Sequence, residues 1–419
     1  MPRATAACVL LVSVLLVSAS PWAGAQVEPF PEGIAVGDVT QDAAVVWTRA
    51  PGTASVTVEV ASDPGFMTAR AALAITPSAD ADFTAKADLH RLRPGRRYHV
   101  RVRSGSAAGP SAAFVTAPAA EQEVPLSLLW GADTYDQFRP FRIFDAMRRR
   151  GADLFLFLGD TIYADLGGFR AVTLEQYRQK YREYRQDAHL RAFLASTATW
   201  TMWDDHEVAN NFTRDHPRLA LGLRAFQEYW PIRVPADRPN RLYRSLRWGR
   251  LAEVFILDTR QYRAPTAIPD GPGRSMLGPE QKRWLLDGLE RSDAMVKIVG
   301  SSVMLRYSGR DSWSGYATER DEILRFVQDR HIRHVIFLAG DVHYAAFVRH
   351  PEGVYEAVAG PLAASLARAA GAANRPFTQW AAAGRANYGW LRLDRDGIVL
   401  SWRDEQDALM HETRIPLGR

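Results

Sequence analysis

Four apolar runs in this sequence end directly in carboxylates or histidines. The runs "LLWGAD", "FLFLGD", "TMWDDHE" and "FLAGDVH" bring Asp133, Asp160, Asp205 with His206, and Asp341 with His343. Such runs predict buried strands. Like charges gathered at neighbouring strand ends are costly, so cations are expected among them. Hard oxygen donors combined with imidazole predict a pair of metal ions such as Fe³⁺, Ca²⁺, Mn²⁺ or Mg²⁺.

Asp160 shows how such a site could be built. Its two carboxylate oxygens could bridge two metals, and Tyr163, three residues later, could bring a phenolate oxygen to one of them. A lone Gly-Asp after a strand is more often a helix cap, and a lone histidine such as His343 is more often a hydrogen-bonded loop residue. Four such strand ends in one segment make the metal site the stronger interpretation.

The composition and charge of the chain limit the classes of protein to which it could belong. The chain has 419 residues, 47% hydrophobic and 24% charged, which is ordinary for a folded protein of two or three domains. The formal net charge of +5 is a mild bias that favours anionic substrates. It does not indicate a specific nucleic-acid partner.

The N-terminus has the pattern of a cleavable signal peptide. Arg3 precedes the apolar run "ACVLLVSVLLV", and Ala23 and Ala25 form an A-x-A site, so residues 1–25 are expected to be removed. The run is too short to span a bilayer, and no later segment approaches that length. The single cysteine, Cys8, lies within it. The mature chain is therefore expected to be secreted or periplasmic, without a transmembrane segment and without thiol ligands.

Two regions differ in their patterns. Residues 27–118 hold short alternating runs such as "AAVVWTRA" and "RRYHVRVRS", which predict an all-β sandwich of fibronectin or immunoglobulin type. After a linker, strands alternate with helices over residues 124–419, which predicts an α/β domain. The carboxyl ends of strands line the binding crevice of such a domain. The metal site is expected at that edge.

The segment "LEQYRQKYREYRQDAHLRAF" allows another function. It predicts a helix that carries Tyr177, Tyr181 and Tyr184 among positive charges. A nucleic-acid or phospholipid platform could be built this way. A helix with one packed aromatic face and one solvated face is the stronger interpretation.

The strand-end motifs resemble those of the alkaline phosphatase D (PhoD) family, within the calcineurin-like metallophosphoesterase superfamily. "GDTIYAD" is similar to the superfamily's Gly-Asp block, including a tyrosine shared with purple acid phosphatases, and "WDDHEVANN" and "AGDVH" resemble the PhoD forms of two later blocks. The segments "LDTRQYR", "MLGPEQKRWL" and "DSWSGYATERDEIL" are also similar. The resemblance implies a four-layer αββα metallophosphoesterase sandwich, preceded by the fibronectin/immunoglobulin-like domain.

The resemblance also implies an activity, the hydrolysis of small-molecule or lipid phosphate esters by a metal-bound hydroxide that attacks phosphorus. Two or more metal ions are implied, Fe³⁺ with Ca²⁺, and Mn²⁺, Mg²⁺ or Zn²⁺ are alternatives. His206 is expected to act on the leaving oxygen, and Arg260 and Tyr262 to contact substrate. The implied metal ligands are Asp133, Asp160, Tyr163, Asp205, Asp341 and His343, with Asp160 bridging the two ions.

The sequence departs from the family pattern in three places. Asp133 stands where many PhoD members carry a cysteine ligand, the twin arginine that often directs their export is absent, and Ser301 and Ser302 replace a histidine ligand of other superfamily members. Two alternative functions stay open: a phospholipase D-like phosphodiesterase on the same fold and, more distantly, a non-catalytic metal-binding surface module. The sequence does not define the oligomeric state.

Overall fold

A computed structural model describes residues 30–105 and 107–418. The predicted signal peptide, residues 1–25, lies outside this range. None of the helices in the described range is both long enough and apolar enough to cross a membrane.

The described residues form twenty strands and six α-helices. The strands are β1 (Ile34–Gly37), β2 (Ala44–Arg49), β3 (Val56–Ala61), β4 (Arg70–Ile75), β5 (Thr84–Leu89), β6 (Arg97–Ser104), β7 (Ala107–Val115), β8 (Leu126–Gly131), β9 (Leu154–Phe157), β10 (Ala198–Thr201), β11 (Arg244–Trp248), β12 (Ala252–Ile256), β13 (Val296–Gly300), β14 (Val335–Ala339), β15 (Ala345–Arg349), β16 (Tyr355–Val358), β17 (Thr378–Ala382), β18 (Asn387–Leu393), β19 (Gly397–Asp404) and β20 (Leu409–Pro416). The helices are α1 (Ile143–Arg149), α2 (Leu174–Arg185), α3 (Ala188–Ser196), α4 (Leu219–Tyr229), α5 (Gly278–Arg291) and α6 (Ala317–Asp329).

Two large sheets form the centre of the molecule. One has nine strands in the order β20-β19-β18-β8-β9-β10-β1-β2-β5, and the other has seven in the order β11-β12-β13-β14-β16-β15-β17. Side chains alternate across each strand. Leu154 and Leu156 of β9 therefore pack toward the second sheet, whereas Phe155 and Phe157 pack toward the helices. With α1 to α4 on one outer face and α5 and α6 on the other, the predicted four-layer αββα architecture is confirmed.

The parallel strands bring several chain segments to one edge. β8, β9 and β10 run parallel, and Gly131 and Thr201 both pair with Phe157. The loops that follow these three strands consequently leave the sheet at the same level. In the second sheet β12, β13 and β14 also run parallel. The predicted strand-end residues lie in these loops.

The all-β N-terminal region shares a sheet with the α/β region. β1 pairs in parallel with β10, so β1, β2 and β5 extend the nine-stranded sheet, while β3, β4, β6 and β7 form a separate four-stranded sheet. One apolar cluster includes Val58 and Val100 of this small sheet together with Trp130 and Ile298 of the α/β region. Among the described residues, the apolar core of the predicted sandwich is therefore continuous with that of the α/β region, which the alternating pattern could not show.

We expect a chain truncated to begin at Glu123 to keep every predicted metal ligand but to be much less stable. Removal of β1 turns β10 into an unpaired edge strand and exposes the shared apolar cluster to water. Soluble yield and melting temperature measure this effect. A truncated chain that melts at the wild-type temperature would contradict it. A soluble fraction that binds metal but fails only on large substrates would make the sandwich a substrate-binding module.

The tyrosine-rich segment forms two helices where one was predicted. The first helix, α2, ends at Arg185, and the Asp187 carboxylate accepts the backbone N–H groups of His189 and Leu190, which caps α3. Tyr177, Tyr181 and Tyr184 are all buried. The packed aromatic face is confirmed, and these rings are unavailable as a nucleic-acid platform.

Candidate metal centre

The structure brings the predicted strand-end carboxylates together. Asp133 follows β8, Asp160 follows β9, Asp204 and Asp205 follow β10, and Asp341 follows β14. Within the described residues, two sets of side chains have potential ligand atoms within 4.8 Å of one another. The sets are Asp160, Asp205 and His206, and Asp204, Asp205 and Asp341.

The two sets share Asp205, so they adjoin. This arrangement fits two neighbouring metal ions with mainly oxygen ligands. The sequence assigned the bridging position to Asp160, whereas the residue common to both sets is Asp205. A bridging role for Asp160 therefore stays a prediction.

Asp133, Tyr163 and His343 form a third part of the centre. The Tyr163 hydroxyl lies 3.2 Å from Nε2 of His343, and that nitrogen lies 3.8 Å from Oδ1 of Asp133. Nδ1 of His343 faces the carbonyl oxygen of Ser365 at 2.5 Å, which fixes the ring. A metal-ligating histidine commonly uses its second nitrogen in this way.

The backbone around the centre is strained. Asp133, Asp160, Asp341 and His343 have φ angles of 69°, 49°, 68° and 56°. Such left-handed conformations are uncommon for non-glycine residues and cluster at functional sites. At Gly159 (φ 106°) a Cβ atom would lie 2.5 Å from Cβ of Asp204, so the glycine allows β9 and β10 to end in close contact. This explains the Gly-Asp order after β9.

Several buried carboxylate oxygens lack protein partners. Both oxygens of Asp133 and Oδ1 of Asp205 accept no hydrogen bond from any residue in the described range. An unpaired buried carboxylate is costly. Metal ions would satisfy these oxygens, so the residues present fit the ions that the sequence implied.

The carboxylates also perturb one another electrostatically. Burial raises the pKa of Asp133 to about 6 even though His343 opposes the shift, and Asp204 adds to it. Burial, with Asp205 and Asp204 nearby, raises the pKa of Asp160 well above its usual range. Without cations the cluster therefore resists full ionisation.

Arg260 is the buried cation of the cluster. Its guanidinium is fully buried and pairs with Asp204 on one side and with Asp341 at 3.2 Å on the other. Burial alone would lower the pKa of Arg260, but Asp204 and Asp205 raise it, so the side chain is charged. Its predicted contact with substrate is not established by this position and stays a prediction.

Tyr262 lies away from these carboxylates, although it is only two residues after Arg260. Its ring packs edge-on against Tyr243 at 5.9 Å. Burial, with Asp258 nearby, raises the pKa of Tyr262. Its predicted role in substrate binding also stays a prediction.

His206 lies in the candidate metal centre, and one of its ring nitrogens is hydrogen-bonded to a carboxylate. Its Nδ1 faces Oδ1 of Asp165 at 2.6 Å, and its ring stacks on Tyr163 at 4.1 Å. Burial lowers the pKa of His206, but the charges of Asp205 and Asp165 outweigh burial and raise it to about 9. The imidazole is therefore positioned to hold a proton.

Three further residues of the centre, Asp165, Asp204 and Glu207, have no role predicted from the sequence. Glu207 accepts hydrogen bonds from the backbone N–H groups of Thr161 and Asp204 at 2.6 and 2.8 Å, which joins the loops after β9 and β10. The motifs "YAD" and "DDHE" contain all three residues. Sequence spacing alone could not separate a ligand from a residue that orients one.

Ser301 and Ser302, which stand where other superfamily members have a histidine ligand, both form hydrogen bonds near the centre. The Ser302 hydroxyl contacts the Asp204 carboxylate and the hydroxyl of Thr259. The Ser301 hydroxyl donates to the Val303 carbonyl at 2.8 Å and accepts from the Trp313 indole. Ser302 therefore supports Asp204, while Ser301 stabilises the following loop.

Comparison with known proteins identifies the family. A family model described as PhoD-like phosphatase matches residues 129–408, and a model of the PhoD-like phosphatase N-terminal domain matches residues 17–118. The chain belongs to the PhoD-like phosphatase family. Alkaline phosphatase D of Bacillus subtilis (strain 168) is 31% identical, over 75% of this chain and 64% of that protein. This PhoD-like chain thus spans somewhat less than two thirds of that relative's length.

Solved structures show the same fold. A structure of PhoD superimposes with a TM-score of 0.85 at 23% identity, covering 93% of this chain and 90% of the other. The purple acid phosphatase PPD1 from yellow lupin (Lupinus luteus) seeds matches with a TM-score of 0.66 at 16% identity, over 93% of this chain and 74% of that one. Both likenesses support the metallophosphoesterase architecture of this PhoD-like chain.

Proposed function

We propose that this chain is a metal-dependent hydrolase of phosphate esters. The observation that carries the proposal is the pair of adjoining sets of buried carboxylates and histidine at the strand ends of a PhoD-like fold. Bound metal ions would activate water and polarise the phosphoryl group. The residues that would hold them are Asp133, Tyr163 and His343 at one ion, Asp205 and Asp341 at the other, and Asp160 between the two.

His206 would hold the proton for the leaving oxygen. Because Nδ1 is held by Asp165, Nε2 is the nitrogen left to face the substrate. A general acid must keep its proton until the ester bond breaks, and the Asp165 carboxylate that is hydrogen-bonded to Nδ1 would favour this state. Asp165 acts through His206 as a positioning residue and also accepts the Asn210 N–H at 2.7 Å.

Arg260 would balance the negative charge between Asp204 and Asp341. Because both ion pairs hold the guanidinium in place, Arg260 would contact a phosphate only if the phosphate bound next to its present position. Arg260 therefore remains a candidate for substrate contact, and Tyr262 is a second candidate that lies farther from the carboxylates.

The organic part of the ester has a place beside the centre. An open cavity of about 510 Å³ is lined in part by Phe138, Ile143, Leu362 and Leu366. Its wall is tied to the centre, because the backbone N–H of Ala363 donates to the carbonyl of Asp133. We propose that this cavity receives an apolar or aromatic substituent of the ester.

A substrate comparison tests the proposed function. We expect turnover of p-nitrophenyl phosphate, and the ratio to bis-p-nitrophenyl phosphate measures the preference for monoesters over diesters. Preferential release of choline from phosphatidylcholine would instead support the phospholipase D-like alternative. Lack of turnover of all three substrates with any metal would favour the non-catalytic module. The predicted signal peptide would direct this activity outside the cytoplasm, and sequencing the N-terminus of the exported chain would test it.

The metals are proposed to be Fe³⁺ with Ca²⁺, since Tyr163 offers a phenolate. Burial and Asp160 raise the pKa of Tyr163 well above its usual range, so only a strongly charged cation would ionise it at neutral pH. Iron-loaded protein is then expected to be coloured through phenolate-to-iron charge transfer. Mn²⁺, Mg²⁺ and Zn²⁺ would give colourless protein.

We expect Tyr163→Phe to bleach this colour while keeping part of the iron. The substitution removes the oxygen but keeps the ring that packs on Tyr135 and His206. Visible absorbance per bound iron is the measurement, and Tyr135→Phe is the matched control because that ring stacks on Tyr163 at 4.8 Å. A band that survives Tyr163→Phe, or colourless iron-containing wild type, would show that Tyr163 only packs there.

A further inference from the structure

A cavity in the N-terminal sandwich is lined by five arginines. Its volume is about 840 Å³, within the range of about 300–1,000 Å³ usual for ligand sites. We call it the arginine cavity and define it by Arg70, Arg91, Arg93, Arg96 and Arg97, with Ser62, Thr68 and Tyr98 also in its wall. The residues come from the loop between β3 and β4, the start of β4, the turn between β5 and β6, and the start of β6.

Few carboxylates lie near the five arginines of this cavity: Asp88 lines an adjoining cavity together with Arg70 and Arg91, but it pairs with Arg233 at 2.8 Å. Of its lining residues none is acidic, and in the described range none of the five guanidinium groups forms an ion pair. Burial raises the pKa of Asp153 and the charge of Arg97 partly opposes this shift, but the two side chains form no ion pair. Asp63, beside the wall, accepts the N–H groups of Met67 and Thr68, each at 2.9 Å, so it keeps its negative charge, but it forms no ion pair with these arginines.

The turn between β5 and β6, which carries three of the arginines, is held by several hydrogen bonds. The Thr116 hydroxyl donates to the carbonyl of Arg93 at 2.7 Å and accepts the N–H of Arg96 at 2.9 Å. The N–H of Arg93 donates to the Tyr98 hydroxyl at 2.9 Å, and Leu92 is buried beneath the turn. A ligand would therefore meet a preformed backbone and would order only the arginine side chains.

We propose that the arginine cavity binds a polyanion that carries several phosphate groups. Arginine matches phosphate through paired N–H donors, and a single phosphate would leave most of the five side chains unused. The ring of Tyr98 stacks on Phe114 at 5.8 Å, and its hydroxyl is engaged, so the wall lacks a free aromatic platform for bases. A phosphate polymer therefore fits better than single-stranded nucleic acid. This site is separate from the metal centre and does not depend on the proposed function.

The test uses the full chain as the protein. The probes are inorganic tripolyphosphate and long-chain polyphosphate. Orthophosphate is present in every sample to occupy the metal centre, and binding is measured by calorimetry over a range of salt concentrations. Arg93→Gln/Arg96→Gln is expected to weaken binding about tenfold or more, because two charged hydrogen-bonding groups are lost. The slope of log affinity against log salt should fall by about 2, one for each lost phosphate contact.

The matched control is Arg283→Gln/Arg325→Gln, which removes the same charge from exposed positions on α5 and α6. It should bind the probes as wild type does. Equal weakening in this control, or unchanged binding in the cavity variant, would overturn the proposal. Tighter binding of oligodeoxythymidylate than of polyphosphate of equal length would show that the ligand class is wrong. Arg70→Gln, on a different strand, repeats the test if the double variant fails to fold.

Discussion

Asp160→Asn is expected to lose bound metal and almost all phosphoesterase activity. Asparagine offers one neutral oxygen where two anionic ones are available, in a set that also contains Asp205 and His206. Metal ions contribute several kcal/mol of transition-state stabilisation, so the rate should fall by about a thousandfold or more. Metal content per chain and kcat/KM measure the two effects. Full metal occupancy in the variant would contradict the ligand role of Asp160.

The melting temperature of the same variant gives a second test, because its difference from wild type should change sign when metal is removed. With metal present, Asp160→Asn should melt below wild type because bound metal stabilises only the folded state. After chelation the order should reverse, because the variant lacks a buried carboxylate that Asp205, Asp204 and Glu207 destabilise. The control is Asp153→Asn, the same substitution at the opposite end of β9, where the carboxylate accepts the Ser127 N–H. That variant should keep both metal and activity.

His206→Ala is expected to reduce kcat by about two to four orders of magnitude while metal content stays near wild type. The loss should be larger for alkyl phosphates than for p-nitrophenyl phosphate, because an alkoxide leaving group needs the proton more. His189→Ala is the matched control. Nδ1 of His189 faces Asp145 at 2.7 Å, a geometry close to that of His206 with Asp165, but on the surface of α3.

Metal lost together with activity in His206→Ala would contradict the general-acid role. His206 belongs to one of the two sets of potential ligands, so this outcome would make it a metal ligand. An equal loss for good and poor leaving groups would place its action on the phosphoryl group instead. Asp165→Asn should retain part of the rate, since Asp165 acts through His206.

Much of the centre could be predicted because it rests on short-range features of the chain. A buried apolar run followed by a carboxylate identifies the end of a strand, and parallel strands bring such ends to one edge. Asp133, Asp160, Asp205 and Asp341 are therefore expected in the same part of the molecule, and the structure brings them together. The αββα layers follow from the same alternation of strands and helices.

Other features depend on contacts between distant parts of the chain. Arg260 resembles a surface arginine in sequence, and only the fold buries it between Asp204 and Asp341. The pairing of β1 with β10 joins segments that are more than 150 residues apart, beyond the reach of a periodicity argument. The arginine cavity likewise needs Arg70 and the turn between β5 and β6 to meet, which their separation in sequence hides.

Elemental analysis combined with an activity assay tests whether bound metal ions carry out the hydrolysis. Protein purified without added metal is analysed for metal per chain and assayed with p-nitrophenyl phosphate before chelation, after chelation and after metal is restored. We expect two metal ions per chain, loss of turnover when they are removed, and recovery when they are returned. Undiminished turnover by metal-free protein would contradict it, as would a fully loaded chain that hydrolyses no phosphate ester.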